Sequence, residues 1–143
     1  MKLSVIIPSY NEEGNVEKIY NSLSKTLENI SYELIYVDDG SKDKTLIELE
    51  ELYKKDKKHV KVISFSRNFK KEAAIYAGLS HSKGEYTCII DGDMQQNPKY
   101  LLEMLNFLEK NDNYEQVAMV MKKRRVDNFL MKVSKKAFYF IID

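Results

Sequence analysis

LSVIIPSYNEE (Leu3 to Glu13) joins a short apolar run to a cluster of polar residues. The run from Leu3 to Ile7 is rich in β-branched residues and closes at Pro8, which predicts a buried strand. From Glu13 to about Leu27, apolar residues recur at helical spacing, so a helix follows the strand. A strand, a polar segment and a helix therefore form the first unit of the chain.

The same alternation continues along the sequence. Further strands are predicted at residues 33–37, 60–65, 86–90 and 117–121. Helices are predicted from Ser41 or Asp43 to residue 53, over residues 72–80, from Pro98 to residue 108 and over residues 129–142. Strands that alternate with helices predict an α/β fold, with a mostly parallel sheet flanked by helices on both faces.

Composition excludes several classes of protein. The 143 residues are 43% hydrophobic, which suits one compact domain, and the formal net charge of +1 argues against a nucleic-acid partner. Cys88 is the single cysteine, so a disulfide framework and a cysteine-based zinc site are excluded. No signal peptide and no run of about 20 apolar residues is present, which predicts a soluble cytoplasmic protein.

Polar clusters follow four of the predicted strands, at residues 8–13, 38–41, 66–68 and 91–95. Ligands bind beyond the carboxyl ends of strands in open α/β sheets, so these clusters predict one binding crevice. Asp91 and Asp93 flank Gly92 with no local cation to neutralise their charge, and such carboxylates suit Mg²⁺ or Mn²⁺. The alternative is that the clusters are ordinary strand ends, turns and helix caps, with Arg67 in a surface ion pair.

Other nucleotide and hydrolase sites find no support in the sequence. Neither a Walker-type phosphate loop nor a dinucleotide fingerprint is present, so phosphates must be held by a metal, by lysine and arginine, or by both. His59 and His81 lie away from the polar clusters, which disfavours a Ser-His-Asp hydrolase. Both histidines are predicted to be exposed to solvent.

Four segments resemble motifs of family 2 glycosyltransferases. The opening motifs are matched by Ile6-Ile7-Pro8-Ser9-Tyr10-Asn11-Glu12-Glu13 and by Val37-Asp38-Asp39-Gly40-Ser41-Lys42-Asp43-Lys44-Thr45. The dolichol-phosphate mannosyltransferase branch, with its bacterial polyprenyl-phosphate relatives, is matched by Ser66-Arg67-Asn68-Phe69 through Ala77-Gly78-Leu79 and by Asp91-Gly92-Asp93-Met94-Gln95. The resemblance covers nearly the whole chain and implies the GT-A (Rossmann-like) architecture, which binds a nucleotide sugar.

The resemblance also implies roles for particular residues. The nucleotide-sugar site would comprise Pro8, Tyr10, Glu12, Val37, Asp39, Arg67, Asp91, Gly92 and Asp93. Tyr10 would offer a ring for stacking, and Asp39 an acceptor for a ring N–H of uracil or guanine. Asp91 and Asp93 would be the catalytic residues, and together with Gln95 they would hold Mg²⁺ or Mn²⁺.

The implied reaction is an inverting transfer from a nucleoside-diphosphate sugar to a polyprenyl-phosphate acceptor. A divalent cation stabilises the charge that grows on the leaving diphosphate. A lipid phosphate needs cations rather than a general base, because its second ionisation lies near about pH 6. Lys122, Arg124 and Arg125 follow the predicted fifth strand and would bind this acceptor phosphate. The alternative for this basic run is a solvated loop.

Two regions are predicted, a nucleotide-sugar-binding GT-A core at residues 1–125 and a basic amphipathic helix at residues 126–143. The helix would lie at an anionic membrane surface or pack its apolar face on the sheet. In the full-length form, the protein would then be peripheral to the inner face of the membrane. Relatives continue well past Asp143, so the resemblance implies that the chain is an N-terminal fragment.

Some positions depart from the family pattern, and two other functions stay open. Lys70 stands where relatives usually carry glycine, and Lys122 where they carry arginine. One alternative function is a family 2 transferase that extends a saccharide, which needs a carboxylate base in a further C-terminal part. The other is a non-catalytic nucleotide-binding remnant. The sequence leaves the sugar, the choice of UDP or GDP and the oligomeric state undetermined.

Overall fold

A computed structural model describes residues 1–92, 97–111, 113 and 115–118. In these ranges strands and helices alternate, as the sequence predicts. The elements are β1 (Leu3–Ser9), α1 (Val16–Thr26), β2 (Tyr32–Asp38), α2 (Thr45–Lys55), β3 (Val60–Ser64), α3 (Lys71–His81), β4 (Tyr86–Ile89) and α4 (Lys99–Lys110). Val117 and Ala118, the start of the predicted fifth strand, have no regular secondary structure. The rest of that strand and the predicted helix at residues 129–142 lie outside the described residues.

The four strands form one parallel sheet in the order β3-β2-β1-β4. From β1 the chain adds β2 and β3 on one side, and then crosses to add β4 on the other side of β1. The strand order therefore reverses between β1 and β4, and this is where open α/β sheets bind ligands. The predicted fold class and its mostly parallel sheet are confirmed.

Both faces of the sheet are covered, which explains the continuous apolar runs of β1 and β2. Alternate residues of a strand point to opposite faces. Val5 and Ile7 belong to a large core cluster with α1, α2 and α4, whereas Ile6 belongs to a smaller cluster with Ala74 of α3. The helices contain 11 or 12 residues, and none in the described ranges is long and apolar enough to cross a membrane.

Pro8 lies inside β1, although a proline cannot donate a hydrogen bond to a neighbouring strand. Ser9 accepts a hydrogen bond from the backbone N–H of Asp39 on the β2 side, and Ile6 accepts one from Ile90 on the β4 side. Since these directions alternate along a strand, Pro8 faces the β4 side, beyond the last paired residue of β4. The strand therefore continues to Ser9, past the predicted end at Pro8.

Glu33 is a buried carboxylate at the opposite end of the sheet, with 1% of its surface exposed. Its Oε1 accepts hydrogen bonds from Ser4 Oγ at 2.7 Å and from the Lys83 backbone N–H at 2.8 Å, and Lys61 forms an ion pair with Oε2. Burial acts to raise the pKa of Glu33, but the contacts from Lys61, Ser4 and Lys83 outweigh it and hold the pKa below its usual value.

Glu33→Gln is expected to lower the free energy of unfolding by about 1–3 kcal/mol at pH 7, because charged hydrogen bonds are lost. The folded-state pKa lies below the ordinary value of 4.5. This stabilisation is therefore complete at neutral pH and is lost as the pH falls through the folded-state pKa. Urea unfolding at pH 7 and at pH 3 tests both statements.

Glu85→Gln, at an exposed ion pair, is the control, and its free energy of unfolding is expected to change little. A Glu33→Gln effect of equal size at both pH values would contradict the charge-based explanation.

Candidate functional site

A cavity of about 460 Å³ opens at the carboxyl ends of the strands. Its lining comes from the segments after β1, β2, β3 and β4 and from the start of α3. The lining residues are Pro8, Ser9, Tyr10, Glu12, Asp39, Asn68, Lys70, Lys71, Ala74, Asp91 and Gly92. The structure therefore brings the four predicted polar segments together at one edge of the sheet.

The two neighbouring aspartates at the end of β2 have different surroundings. Asp38 is buried, and its carboxylate accepts hydrogen bonds from the Ser41 backbone N–H and from Ser64 Oγ, both at 3.2 Å. Asp39 lines the cavity, and its Oδ1 accepts a hydrogen bond of 2.6 Å from the Phe69 backbone N–H. In the described part of the chain Oδ2 of Asp39 accepts no hydrogen bond.

Gly40 makes the contact between the segments after β2 and β3. Its φ of +68° is a left-handed conformation, and a Cβ atom there would lie 2.4 Å from the Arg67 backbone carbon. Only glycine permits so close a backbone approach. This approach brings Phe69 within hydrogen-bonding distance of Asp39.

The segment after β1 is fixed by side chains from the start of α2 and the loop before it. Backbone N–H groups of residues 11–14 donate to Ser41 Oγ, Thr45 Oγ1, Asp43 Oδ2 and the Glu48 carboxylate, at 2.8 to 3.1 Å. These bonds explain why α1 begins at Val16 rather than at Glu13, because the backbone of residues 11–14 bonds outside a helix. These bonds thus position the segment that carries Tyr10 and Glu12 at the cavity.

Two of the predicted nucleotide-sugar contacts do not line the cavity. Val37 is fully buried and packs against the α3 side of the sheet. Arg67 is exposed, and its guanidinium lies 4.8 Å from the centre of the Phe69 ring. The adjacent Asn68 lines the cavity instead. A strand-end position predicts proximity to the crevice, but the direction of a side chain depends on its packing.

Asp91 has a cationic partner, which the sequence argument did not anticipate. Lys71, at the first turn of α3, forms an ion pair with Asp91 Oδ1. The inference that no local cation neutralises Asp91 is therefore wrong, because the partner comes from a segment 20 residues earlier in the chain. Gly92 packs against Glu12 and the Pro8 carbonyl. Asp93 and Gln95 lie outside the described residues.

Lys70 has a backbone conformation that glycine normally occupies. Its φ is 81° and its ψ is 163°, a region that costs other residues about 1–3 kcal/mol. The family resemblance identified Lys70 as a departure from the pattern, since relatives usually carry glycine there. It did not identify Lys70 as a site residue. The cavity-lining residues that were not among the predicted site residues are Ser9, Asn68, Lys70, Lys71 and Ala74.

The carboxylates of the cavity fit a divalent cation that also binds phosphate. In the described ranges no group of three or more His, Cys, Asp or Glu residues could enclose a metal ion. Mg²⁺ binds through one or two carboxylates together with substrate phosphates and water, so it does not require such an enclosure. Asp91, with Asp93 following two residues later, matches this requirement.

The two histidines lie away from the cavity, but only one of them is exposed as predicted. His81 is exposed at the end of α3. His59 is half-buried before β3, where its Nδ1 lies 2.9 Å from Asp56 Oδ2 and its ring stacks on Tyr32 at 4.7 Å. The prediction of a solvent-exposed His59 is therefore wrong.

The sequence was compared with family profiles and with curated proteins, and both comparisons point to the same family. The sequence profile described as Glycosyl transferase family 2 matches residues 4–142. The chain is 42% identical over 144 residues to CsbB of Bacillus subtilis (strain 168), a provisionally named glycosyltransferase, covering 99% of the chain and 42% of that protein. It is 30% identical over 129 residues to the dolichol-phosphate mannosyltransferase of Pyrococcus furiosus, covering 90% of the chain and 36% of that protein. The chain thus spans less than half the length of these curated relatives.

Solved structures share the fold. S. aureus TarS 1-349 superposes with a TM-score of 0.66 at 28% identity, covering 87% of this chain and 40% of that one. The same protein in complex with UDP-GlcNAc gives a TM-score of 0.64 at 28% identity, covering 87% of this chain and 39% of that one. The mannosyltransferase PcManGT from Pyrobaculum calidifontis, solved with GDP-Man and Mn²⁺, gives 0.66 at 21% identity, covering 75% and 32%. The GT-A architecture that the resemblance implied is confirmed.

Proposed function

The chain belongs to glycosyl transferase family 2, and on this premise we propose that its cavity binds a nucleoside-diphosphate sugar as the donor for an inverting glycosyl transfer. The observation that carries the proposal is the position of Asp39. This buried carboxylate has one oxygen fixed by the Phe69 backbone and the other without a hydrogen bond in the described part of the chain, at the wall of the cavity. Residues 1–125 are proposed as the donor-binding core and residues 126–143 as the start of an acceptor-side region.

Asp39 is suited to recognise the base of the nucleotide. Uracil and guanine each present a ring N–H, and a carboxylate oxygen is a strong acceptor for such a donor. The 2.6 Å hydrogen bond to Oδ1 and the contact at Gly40 hold the carboxylate in one orientation before the ligand binds. Tyr10 lines the same cavity with 41% of its surface exposed, so its ring is available for stacking on the base or ribose.

The phosphates are proposed to lie between the start of α3 and the end of β4. Lys70 and Lys71 supply positive charge there, and Asp91 supplies hard oxygen ligands. Asp91 and Asp93, with Gln95, would hold Mg²⁺ or Mn²⁺, which when bound would stabilise the charge that develops on the diphosphate. Lys71 keeps the Asp91 carboxylate in position by its ion pair.

A polyprenyl phosphate is the proposed acceptor, and the likeness to a dolichol-phosphate mannosyltransferase supports it. Lys122, Arg124 and Arg125 are proposed to bind the acceptor phosphate, and the basic segment at 126–143 to contact an anionic membrane. The full-length protein should then transfer sugar to a polyprenyl phosphate. Transfer to a saccharide alone would support the saccharide-extending alternative, and donor binding without any transfer would support a non-catalytic remnant.

Asp39→Asn is expected to weaken the binding of UDP or GDP at least tenfold. The amide oxygen can still accept the Phe69 N–H, but the amide NH₂ group then replaces the oxygen that accepts the base N–H. Losing a hydrogen bond to a charged group costs about 1.5–3 kcal/mol, and each 1.4 kcal/mol is about tenfold in affinity. Isothermal titration of the parent and the variant measures the change.

Asp38→Asn is the matched control, because Asp38 is buried and hydrogen-bonded within the protein. It is expected to lower the melting temperature while leaving the nucleotide affinity of the folded protein nearly unchanged. If Asp39→Asn binds like the parent while Asp38→Asn does not, the base contact belongs to Asp38. If the parent binds neither nucleotide, the proposed donor site is wrong.

A further inference from the structure

We propose that Lys70 is a phosphate-binding residue of this site and contacts a phosphate of a nucleoside diphosphate. The proposal rests on the proposed function and extends it to a residue that the predicted site did not include. Three observations carry it: the backbone conformation of Lys70, its position in the cavity wall, and the distribution of charge around it.

The conformation of Lys70 is fixed from both sides although it disfavours a side chain. The Lys70 backbone N–H donates to Asn68 Oδ1 at 3.1 Å, and its carbonyl accepts from the N–H groups of Ala73 and Ala74 at 3.1 and 3.3 Å. These bonds hold φ at 81° and ψ at 163°. Glycine would adopt this conformation without strain, so a lysine here has a cost that its backbone role does not explain.

The position of Lys70 in the cavity wall suits a phosphate-binding role. Lys70 lines the cavity together with Asp39 and Asp91, directly before the first turn of α3. The first N–H groups of a helix favour an anion, and in α3 those of Lys71 and Glu72 come before the Ala73 and Ala74 N–H groups that bond the Lys70 carbonyl. A phosphate near Lys70 would meet both the ammonium group and this end of α3.

The charges distinguish Lys70 from the lysine beside it. Lys71 is already paired with Asp91. Lys70 forms no ion pair in the part of the chain that the structure describes. The other charged groups of the lining are the carboxylates of Glu12, Asp39 and Asp91, which by themselves would repel a diphosphate. Of the two lysines in the described lining, Lys70 is therefore the one available for an anionic ligand.

Lys70→Gly separates a binding role from a structural one, because glycine relieves the backbone strain while removing the charge. The variant is expected to melt at the same temperature as the parent or a few degrees higher. Its affinity for UDP or GDP in the presence of Mn²⁺ should fall about fivefold to tenfold, since a charge-assisted phosphate contact is lost. Its affinity for uridine or guanosine should match the parent value, because nucleosides carry no phosphate.

Two further variants serve as controls. Lys70→Arg keeps the charge and should bind the diphosphate within about twofold of the parent, and Lys58→Gly removes an exposed lysine from a distant turn and should leave the affinity unchanged. Unchanged diphosphate binding by Lys70→Gly would overturn the proposal. A lower melting temperature with equal losses for nucleoside and diphosphate would show a structural role instead. Failure of the parent to bind any diphosphate would overturn the donor site itself, before any variant is measured.

Discussion

Gly40→Ala is expected to lower the free energy of unfolding by about 3 kcal/mol and to weaken nucleotide binding. An alanine at φ +68° has a conformational cost of about 1–2 kcal/mol. Its Cβ would also lie 2.4 Å from the Arg67 carbonyl carbon and 2.7 Å from the Arg67 Cα, so the backbone after β3 must move. That movement is expected to break the hydrogen bond between Phe69 and Asp39, which holds the carboxylate proposed to bind the base. Urea unfolding followed by circular dichroism measures the stability, and calorimetry measures UDP and GDP binding.

Gly14→Ala is the matched control for the backbone contact at Gly40. Gly14 has a similar φ of +79°, but no atom lies within 4 Å of the position that its Cβ would occupy. Gly14→Ala should therefore show the conformational cost alone, about 1–2 kcal/mol. If Gly40→Ala is no more destabilising than Gly14→Ala, the close approach of the two segments does not matter for stability. Normal nucleotide affinity in Gly40→Ala would separate this contact from the donor site.

The fold could be predicted because the buried strands β1 and β2 have continuous apolar sequences. Residues such as Val5 and Ile7 on one face and Ile6 on the other are fully buried, and this produces uninterrupted apolar runs. The ends of the four strands in the described ranges were predicted within two residues, whereas Val117 and Ala118 of the predicted fifth strand have no regular structure. The predicted end of β1 at Pro8 was one residue early. The strand continues to Ser9 because the side of Pro8 that lacks an N–H faces β4, which has already ended there.

The edge of the sheet that holds the site could also be predicted, since the carboxyl ends of parallel strands meet there. The choice between Asp38 and Asp39 came from the family resemblance and stays a prediction. In the structure Asp38 is hydrogen-bonded within the protein, whereas Asp39 lines the cavity. Polar residue type alone does not distinguish a carboxylate that closes a turn from one that lines a cavity.

Contacts between distant segments account for what the sequence did not reveal. The ion pair of Lys71 with Asp91 depends on the close packing of α3 on β1, where a Cβ at Gly78 would lie 2.4 Å from the Ile6 side chain. His59 is half-buried because it stacks on Tyr32 of a neighbouring strand. Neither contact follows from spacing along the chain, because each depends on how the elements pack in three dimensions.

Asp91 also determines how strongly nucleotide binding should depend on a divalent cation. Its carboxylate has an ion pair with Lys71, and the described part of the chain contains no enclosed metal site. A metal that binds through one or two carboxylates completes its coordination with the ligand's phosphates and with water. Metal and diphosphate should therefore bind together, each strengthening the affinity for the other.

A nucleoside diphosphate is accordingly expected to stabilise the chain strongly only when Mg²⁺ or Mn²⁺ is present. At a ligand concentration of 100 times the dissociation constant, the stabilisation is about 2.7 kcal/mol. This corresponds to a rise in melting temperature of about 5–10 °C for a chain of this size. Thermal unfolding with UDP or GDP, in Mn²⁺ and in a chelator, measures the difference, with uridine and guanosine as ligands that should not respond to metal. Asp91→Asn should lose most of the metal-dependent rise. Equal rises in melting temperature with metal and with chelator would exclude the metal site. The phosphates would then be bound by Lys70 and Lys71.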